Sequence, residues 1–188
     1  MKISGNAVRP GMVIEHKSRL WRAVKIQHTQ PGKGGAYLQV ELKDIRDGTK
    51  LNERFRSSES VERVRLDQRE YQYLYRDGEN LTFMDTETFD QATVNESMVG
   101  DAVDFLQDGM VVTVEAYEGK PVGVTLPDTV VCTVTETEAV IKGQTAAASF
   151  KPALLDNGAR ISVPPHVVSN DRIVVSVYER AYVERAKG

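Results

Sequence analysis

Short runs in which apolar and polar residues alternate constrain the fold of this chain more than any other feature of its sequence. In the run from Leu38 to Leu42, every second side chain is apolar, which is the pattern of a half-buried strand. Dipeptides that favour tight turns separate such runs, at Pro10-Gly11, Asp47-Gly48, Asp77-Gly78 and Asn157-Gly158. We therefore predict a chain built mainly of short antiparallel strands.

A helical period interrupts this pattern between Glu96 and Asp108. Its apolar side chains fall on one predicted helical face, at Val99, Ala102, Val103 and Leu106. One short helix among about five strands is typical of a barrel of the OB type. The segment therefore predicts an OB barrel in the middle of the chain.

The strand and turn signals divide the chain into three small β-barrels in series. We place the predicted domains at residues 1–64, 65–128 and 129–188, the first a small antiparallel barrel and the other two OB-like. In the second domain, strand spacing puts three tyrosines on one face, where we expect core packing rather than base stacking: Tyr71, Tyr73 and Tyr75.

The net charge of −3 hides a strong asymmetry between these predicted domains. Residues 1–64 carry 13 Lys and Arg against 7 Asp and Glu, residues 65–128 carry 4 against 14, and residues 129–188 carry 7 against 6. A basic segment in an acidic chain indicates contact with a polyanion, most simply RNA, because phosphate binding releases counterions. The acidic second domain is expected to avoid phosphate.

Several other functions find no support in the sequence. Cys132 is the single cysteine and lies in an apolar run, so we expect a buried reduced thiol. His16, His28 and His166 lack the spacing of metal ligands, and the carboxylates are scattered, so we expect neither a metal site nor an acid–base pair. No apolar run approaches the length of a membrane span, which predicts a cytoplasmic protein without a membrane partner.

One glycine-rich segment, residues 30–36 with the sequence Gln-Pro-Gly-Lys-Gly-Gly-Ala, separates two predicted strands. Pro31 fixes its own φ, and three glycines around it can take positive φ, namely Gly32, Gly34 and Gly35. Lys33 is the only side chain of this tip that can reach far outward. We therefore take Lys33 as the candidate functional residue.

The turn chemistry alone leaves the role of Lys33 open. It is compatible with a solvated lysine on a hairpin, or with a display lysine that receives a covalent group as in carrier domains. A phosphate-binding P-loop is disfavoured, because that motif needs Gly at position 27 and Ser or Thr at position 34, where this chain has Gln27 and Gly34. A general RNA-binding protein that uses Lys33 only for phosphate contact is a further alternative.

Beyond these patterns, the whole chain resembles the bacterial translation elongation factor P family. The motifs that carry the resemblance are Pro31-Gly32-Lys33-Gly34-Gly35-Ala36, Lys151-Pro152-Ala153, Gly158, Val163-Pro164 and Tyr182-Val183-Glu184-Arg185. The resemblance implies an SH3-like (KOW-like) barrel followed by two OB barrels, with an elongated, tRNA-like overall shape. It also implies a monomeric, non-catalytic factor that binds the 70S ribosome beside the P-site tRNA and relieves stalling at consecutive prolines.

The same resemblance implies roles for individual residues. Lys33 would be the functional residue, extended by a modifying enzyme with a β-lysyl or similar group, as related archaeal and eukaryotic factors carry hypusine; no other cofactor is expected. The candidate RNA contacts are Lys25, Arg54, Arg56, Gly143, Gln144 and Thr145. The candidate ribosome contacts are Tyr182 and Arg185.

Two positions depart from the family pattern. The family reads the E-site codon with a Gly-Asp-Thr motif, whereas this chain has Gly143-Gln144-Thr145 and so lacks the carboxylate. Asn170 stands where glycine is usual, and we expect a mild effect because Asn tolerates positive φ better than most residues.

Overall fold

The computed structural model describes residues 1–140 and 149–187, and in them it contains sixteen strands arranged in three sheets. The helical residues of this part of the chain form three short 3-10 turns, Gly5–Ala7, Glu96–Met98 and Gly100–Phe105. The prediction of an all-β fold is therefore confirmed. No helix within the described ranges has the length and apolar character needed to cross a bilayer.

The first sheet has six antiparallel strands in the order β1-β6-β2-β3-β4-β5. They are β1 (Lys2–Ser4), β2 (Val13–His16), β3 (Arg19–Thr29), β4 (Tyr37–Asp44), β5 (Lys50–Arg56) and β6 (Ser60–Val64). The alternation read from the sequence sets its core, because Leu38, Val40 and Leu42 of β4 are fully buried. They belong to a cluster that also contains Val8, Ile14, Trp21, Ala23, Phe55 and Val61.

Gly5 lies where the chain passes very close to the end of β5. A Cβ atom at this position would stand 2.5 Å from the carbonyl oxygen of Arg56 and 2.9 Å from Cβ of Phe55. Any side chain would force the backbone of β5 to move, so only glycine fits here.

The second sheet has the strand order β11-β10-β7-β8-β9. Its strands are β7 (Asp67–Asp77), β8 (Asn80–Asp85), β9 (Gln91–Asn95), β10 (Val111–Tyr117) and β11 (Lys120–Thr125). The predicted turn at Asp77-Gly78 connects β7 to β8, and Gly78 adopts a φ of +60°. The buried side chains Leu81 and Phe83 face the core from β8.

Two details of the second sheet differ from the sequence-based predictions. The helix expected between Glu96 and Asp108 is instead a pair of 3-10 turns with Val99 between them. Gly100, the first residue of the second turn, has a φ of +77°, which cannot continue an α-helix. The tyrosines do not share one face, because a β-bulge lies between Tyr73 and Tyr75. Tyr73 is buried in the core, whereas Tyr75 is 55% exposed.

The third sheet has the order β14-β13-β12-β15-β16. Its strands are β12 (Thr129–Thr137), β13 (Lys151–Leu155), β14 (Arg160–Val163), β15 (Arg172–Ser176) and β16 (Ala181–Arg185). Cys132 is buried among its apolar residues, as predicted. Asn170 adopts a φ of +76°, which agrees with the expectation that asparagine replaces glycine in the left-handed region at little cost.

The chain forms two compact units. One contains Met1–Arg69 with Val114–Val124, and the other contains Glu70–Thr113 with Thr125–Gly188. The boundaries near residues 64 and 128 therefore stay a sequence-based prediction of three domains.

Candidate functional site

The tip segment, residues 30–36, connects β3 to β4 at the end of a long hairpin. The two strands stay paired up to Thr29 and Tyr37, so the tip begins directly where the ladder ends. Lys33 is exposed, and no described residue forms a hydrogen bond or an ion pair with it. The lysine amine is therefore available to a partner.

The tip glycines differ in what their backbone requires. Gly34 adopts a φ of +126°, which favours glycine over other residues, whereas Gly32 and Gly35 do not have positive φ. A Cβ atom added to Gly32 or Gly35 would meet no atom within 4 Å. Of the three glycines that the sequence allowed at positive φ, only Gly34 uses this freedom.

The outer side of β3, β4 and β5 brings the three predicted cationic contacts together. The register places Arg56 opposite Tyr37, Arg54 opposite Gln39, and Lys25 opposite Glu41. Lys25, Arg54 and Arg56 are all exposed on this side. We call Lys25, Tyr37, Arg54 and Arg56 the basic face.

A β-bulge explains how Lys25 reaches this face. Strict alternation would place Lys25 on the same side as Ala23, which is buried in the core. The register shifts between Ala23 and Lys25, which leaves Val24 as the extra residue and turns the lysine outward. The bulge therefore adds a positive charge to the face near the tip.

Tyr37 is a member of the basic face that the sequence analysis missed. The guanidinium carbon of Arg54 lies 5.0 Å from the centroid of its ring, within the range of a cation–π contact. This contact restrains both side chains, and it orients a flat cationic surface outward. The sequence did contain an indication of its role, because Tyr37 is an aromatic residue on the polar side of an alternating strand, directly after the tip.

Some other cations of the same unit are already engaged by carboxylates, among them Lys17 and Arg22. Arg22 donates to both carboxylate oxygens of Glu115 at 2.9 and 3.0 Å. Lys17 donates to Glu53 at 2.9 Å, and this hydrogen bond is the main reason why the pKa of Glu53 is lowered. Among the described residues, the cations of the basic face have no such ion pair. The charges of Lys25, Arg54 and Arg56 are therefore available to a partner.

The predicted contacts in the third sheet are arranged differently. Arg185 donates from Nη2 to Oδ2 of Asp171 at 2.8 Å, and the same carboxylate oxygen accepts from the amide of Val168 at 3.0 Å. These two hydrogen bonds, the one from Val168 first, lower the pKa of Asp171. Tyr182 is half-buried opposite Val175. Gly143, Gln144 and Thr145 lie outside the described residues.

Candidate groups for covalent or metal chemistry are few. Burial raises the pKa of the Cys132 thiol to about 11, so it stays protonated and a poor nucleophile at neutral pH. Within residues 1–140 and 149–187, no three His, Cys, Asp or Glu side chains are arranged to hold a metal ion. Lys33 is thus the candidate on which the chemistry of this site depends.

Comparisons with known proteins agree with the earlier resemblance along the whole chain. Three family models match: the elongation factor P KOW-like domain at residues 4–61, its OB domain at residues 66–124, and its C-terminal domain at residues 130–185. Elongation factor P of Rhizorhabdus wittichii and that of Parvibaculum lavamentivorans are each 60% identical over 186 residues, covering 99% of this chain and 100% of the relative.

A solved structure supports the same fold. Eukaryotic translation initiation factor 5A from Methanococcus jannaschii is similar, with a TM-score of 0.56 and 22% identity, over 68% of this chain and 92% of that one. At this identity the likeness concerns the fold alone. The family models and the full-length relatives show that this chain belongs to the elongation factor P family, whose members are named as translation elongation factors.

Proposed function

We propose that this chain binds the 70S ribosome beside the P-site tRNA and promotes peptide-bond formation where consecutive prolines stall it. The observation that carries this proposal is Lys33, exposed and without an ion pair among the described residues, at the end of a hairpin whose outer side bears the basic face. Such an arrangement supplies a projecting amine together with an anchor for RNA phosphates. We place the protein in the cytoplasm as a monomer.

The proposed mechanism is positional rather than catalytic. Proline has a fixed φ and a secondary amine, so the reacting groups at consecutive prolines are poorly oriented for attack. Lys33 would hold the acceptor end of the P-site tRNA in a reactive geometry, and orientation of this kind can lower a barrier substantially. The peptidyl transferase centre of the ribosome performs the chemistry, and the factor donates no acid, base or nucleophile.

The basic face would fix the position of the hairpin on the tRNA. Arg54 and Arg56 can each donate to phosphate oxygens in a bidentate manner, and Lys25 adds a point charge. Because Arg54 is already held over the ring of Tyr37, less side-chain freedom is lost when it binds. The face thus anchors the arm, and Lys33 acts at its end.

We further propose that Lys33 carries a covalent extension, with a β-lysyl group as the first candidate. A modifying enzyme would first activate the carboxyl group of the added unit as an acyl phosphate or acyl adenylate. Nζ of Lys33 would then attack the carboxyl carbon and lose a proton, the bond to the activating phosphate would break, and the phosphate or nucleotide would leave as the amide forms. The added amino groups would retain positive charge for the tRNA while lengthening the reach. Peptide mass spectrometry on protein isolated from its native host tests this step, and unmodified Lys33 in all of that protein would contradict it.

A reconstituted translation assay tests the central proposal. Synthesis of a reporter with consecutive prolines is timed without factor, with the unchanged protein, and with Lys33→Ala. We expect the variant to lose most of the relief of stalling, because the positioning group is gone. Lys25→Ala is the matched control, since it also removes one exposed lysine from the same hairpin. If Lys33→Ala costs no more than Lys25→Ala, Lys33 contributes only charge and the positional mechanism is wrong.

A further inference from the structure

Phe89, in the turn between β8 and β9, is an apolar ring displayed on the surface of the second sheet. It is 68% exposed, the largest value among the large hydrophobic side chains of the described residues. Its neighbours Glu87 and Asp90 are also exposed. An aromatic ring with a negatively charged rim is a surface that the known family function does not explain.

The backbone around Phe89 is firmly fixed. Its own φ is +63°, a left-handed conformation that is a clear outlier for a bulky residue and in which glycine is far less strained. The turn is closed by Asp85, whose amide donates to the carbonyl of Asp90 at 2.8 Å and whose carbonyl accepts from the amide of Phe89 at 2.9 Å. The direction of the Cα–Cβ bond of Phe89 is therefore set before any partner binds.

Further hydrogen bonds hold the same turn from inside. The carboxylate oxygen Oδ1 of buried Asp85 accepts from the amides of Glu87 and Thr88 at 2.8 and 3.2 Å. Thr86 donates from its amide and its hydroxyl to the carbonyl of Glu70, at 3.1 and 3.2 Å. A rigid aromatic anchor loses little entropy on binding, which is the property of residues that dominate interfaces.

We propose that the Phe89 turn docks on a positively charged ribosomal protein, with the ring in an apolar pocket and the carboxylates of Glu87 and Asp90 against its cationic rim. The charge beside the ring selects the partner, because Glu87 and Asp90 are exposed and neither forms an ion pair among the described residues. Such a surface attracts cationic protein and repels RNA phosphate. The inference rests on the proposed ribosome binding, and its test separates the two.

The first test measures the affinity of purified 70S ribosomes for the unchanged protein, Phe89→Gly and Glu118→Gly. Glycine keeps the left-handed turn, so Phe89→Gly should unfold at the same or a higher temperature while its affinity falls roughly tenfold, as for loss of an aromatic anchor. Glu118, also exposed and at a φ of +50°, is the matched control and should change affinity less than about twofold. Equal affinity of Phe89→Gly and the unchanged protein would overturn the docking proposal alone.

Two further measurements identify what lies against the ring. Glu87→Lys should weaken ribosome binding if the partner is cationic protein, whereas stronger binding would mean that RNA phosphate lies there and would overturn the proposal. A photoreactive benzoylphenylalanine at position 89 should crosslink to a basic ribosomal protein. Crosslinks to ribosomal RNA, no crosslink, or a Phe89-dependent dimer of this chain would each overturn it. If the unchanged protein does not bind ribosomes at all, both the docking proposal and the proposed function fail.

Discussion

The arginines of the basic face and two arginines near the end of the chain, Arg180 and Arg185, look equivalent in the sequence, but their contacts in the fold differ. Arg54 and Arg56 are exposed without an ion pair among the described residues, and Arg54 contacts only the ring of Tyr37. Arg180 and Arg185 are each bound to an aspartate, Asp104 and Asp171 respectively.

The guanidinium group of Arg180 makes several contacts within the protein. Its guanidinium lies 5.1 Å from the centroid of the Phe105 ring, and it donates to the carbonyl of Asp101 and to Oδ2 of Asp104, each at 3.2 Å. The side chain of Asn157 adds a hydrogen bond of 2.9 Å to the carbonyl of Asp104. These contacts join the third sheet to the 3-10 turn Gly100–Phe105 within one compact unit.

The difference teaches that exposure and residue type do not by themselves identify a binding cation. A guanidinium whose hydrogen bonds are satisfied internally must break them before it can bind phosphate, whereas one on the basic face has only water to lose. We therefore expect substitution of Arg180 or Arg185 to change stability first and substitutions on the basic face to change RNA binding first.

Arg180→Ala gives the largest effect expected from this contrast. Loss of the cation–π contact and of two hydrogen bonds should lower the free energy of unfolding by about 1–2 kcal/mol, which lowers the unfolding temperature by a few degrees. Thermal and urea unfolding measure the change. Arg160→Ala, which replaces an exposed arginine of β14 in the third sheet, is the control and should stay within about 0.5 kcal/mol. Equal stability of the two variants would show that the internal contacts of Arg180 contribute nothing.

Arg54→Gln should have a smaller effect, on binding rather than on folding. We expect ribosome affinity to fall by about 1 kcal/mol, roughly fivefold, and the dependence of affinity on salt to decrease by up to about one phosphate contact. Stability should change by no more than about 1 kcal/mol, the value of an exposed cation–π contact.

Arg22→Gln is the control for the salt dependence, because Glu115 already holds the Arg22 guanidinium in the same unit. Substitution of Arg22 should leave unchanged the number of counterions that are released when the protein binds the ribosome. If the dependence of ribosome affinity on salt fell equally in Arg22→Gln and Arg54→Gln, internally paired and available cations would contribute alike, and the distinction between them would be wrong.

The smallest effect concerns Arg185 and appears mainly in pH dependence. The pKa of Asp171 is lowered in the folded protein, so its contribution to stability is present above the ordinary carboxyl pKa and is lost as the pH falls through the lower folded value. Arg185→Gln should raise this pKa only part of the way, because the hydrogen bond from Val168 remains. The stability change should be about 0.5 kcal/mol, as for a surface pair. Carbon NMR titration of Asp171 measures the shift, and an unchanged pKa would contradict the role of Arg185.

The features that the sequence predicted correctly are local ones. The turns at Asp47-Gly48 and Asn157-Gly158 form with positive φ at both glycines, because the turn dipeptide itself determines that geometry. The alternation in β4 predicted which residues enter the core, and the tip motif contributed to the correct family resemblance. The functional role of Lys33 stays a prediction.

The features that the sequence could not provide depend on pairing between distant segments. One register shift separates the faces of Tyr73 and Tyr75, and a second turns Lys25 outward. The periodicity of a single strand does not reveal such shifts, because they arise from pairing with another strand. The apolar spacing after Glu96 fits 3-10 turns as well as an α-helix, and Gly100 decides between them. The ion pair of Arg180 joins residues 76 positions apart, so only the folded chain reveals it.

The empty space around Gly32 and Gly35 has a consequence for how sequence change at the tip should be interpreted. Neither position has positive φ, and an added Cβ atom would touch nothing within 4 Å, so the isolated protein has no steric need for glycine at either place. At Gly34 the backbone itself demands glycine. If side chains at Gly32 or Gly35 impair function, the cause must be a clash with a molecule that approaches Lys33. The substitutions that these two positions tolerate would therefore report the shape of the partner's surface and not a requirement of folding.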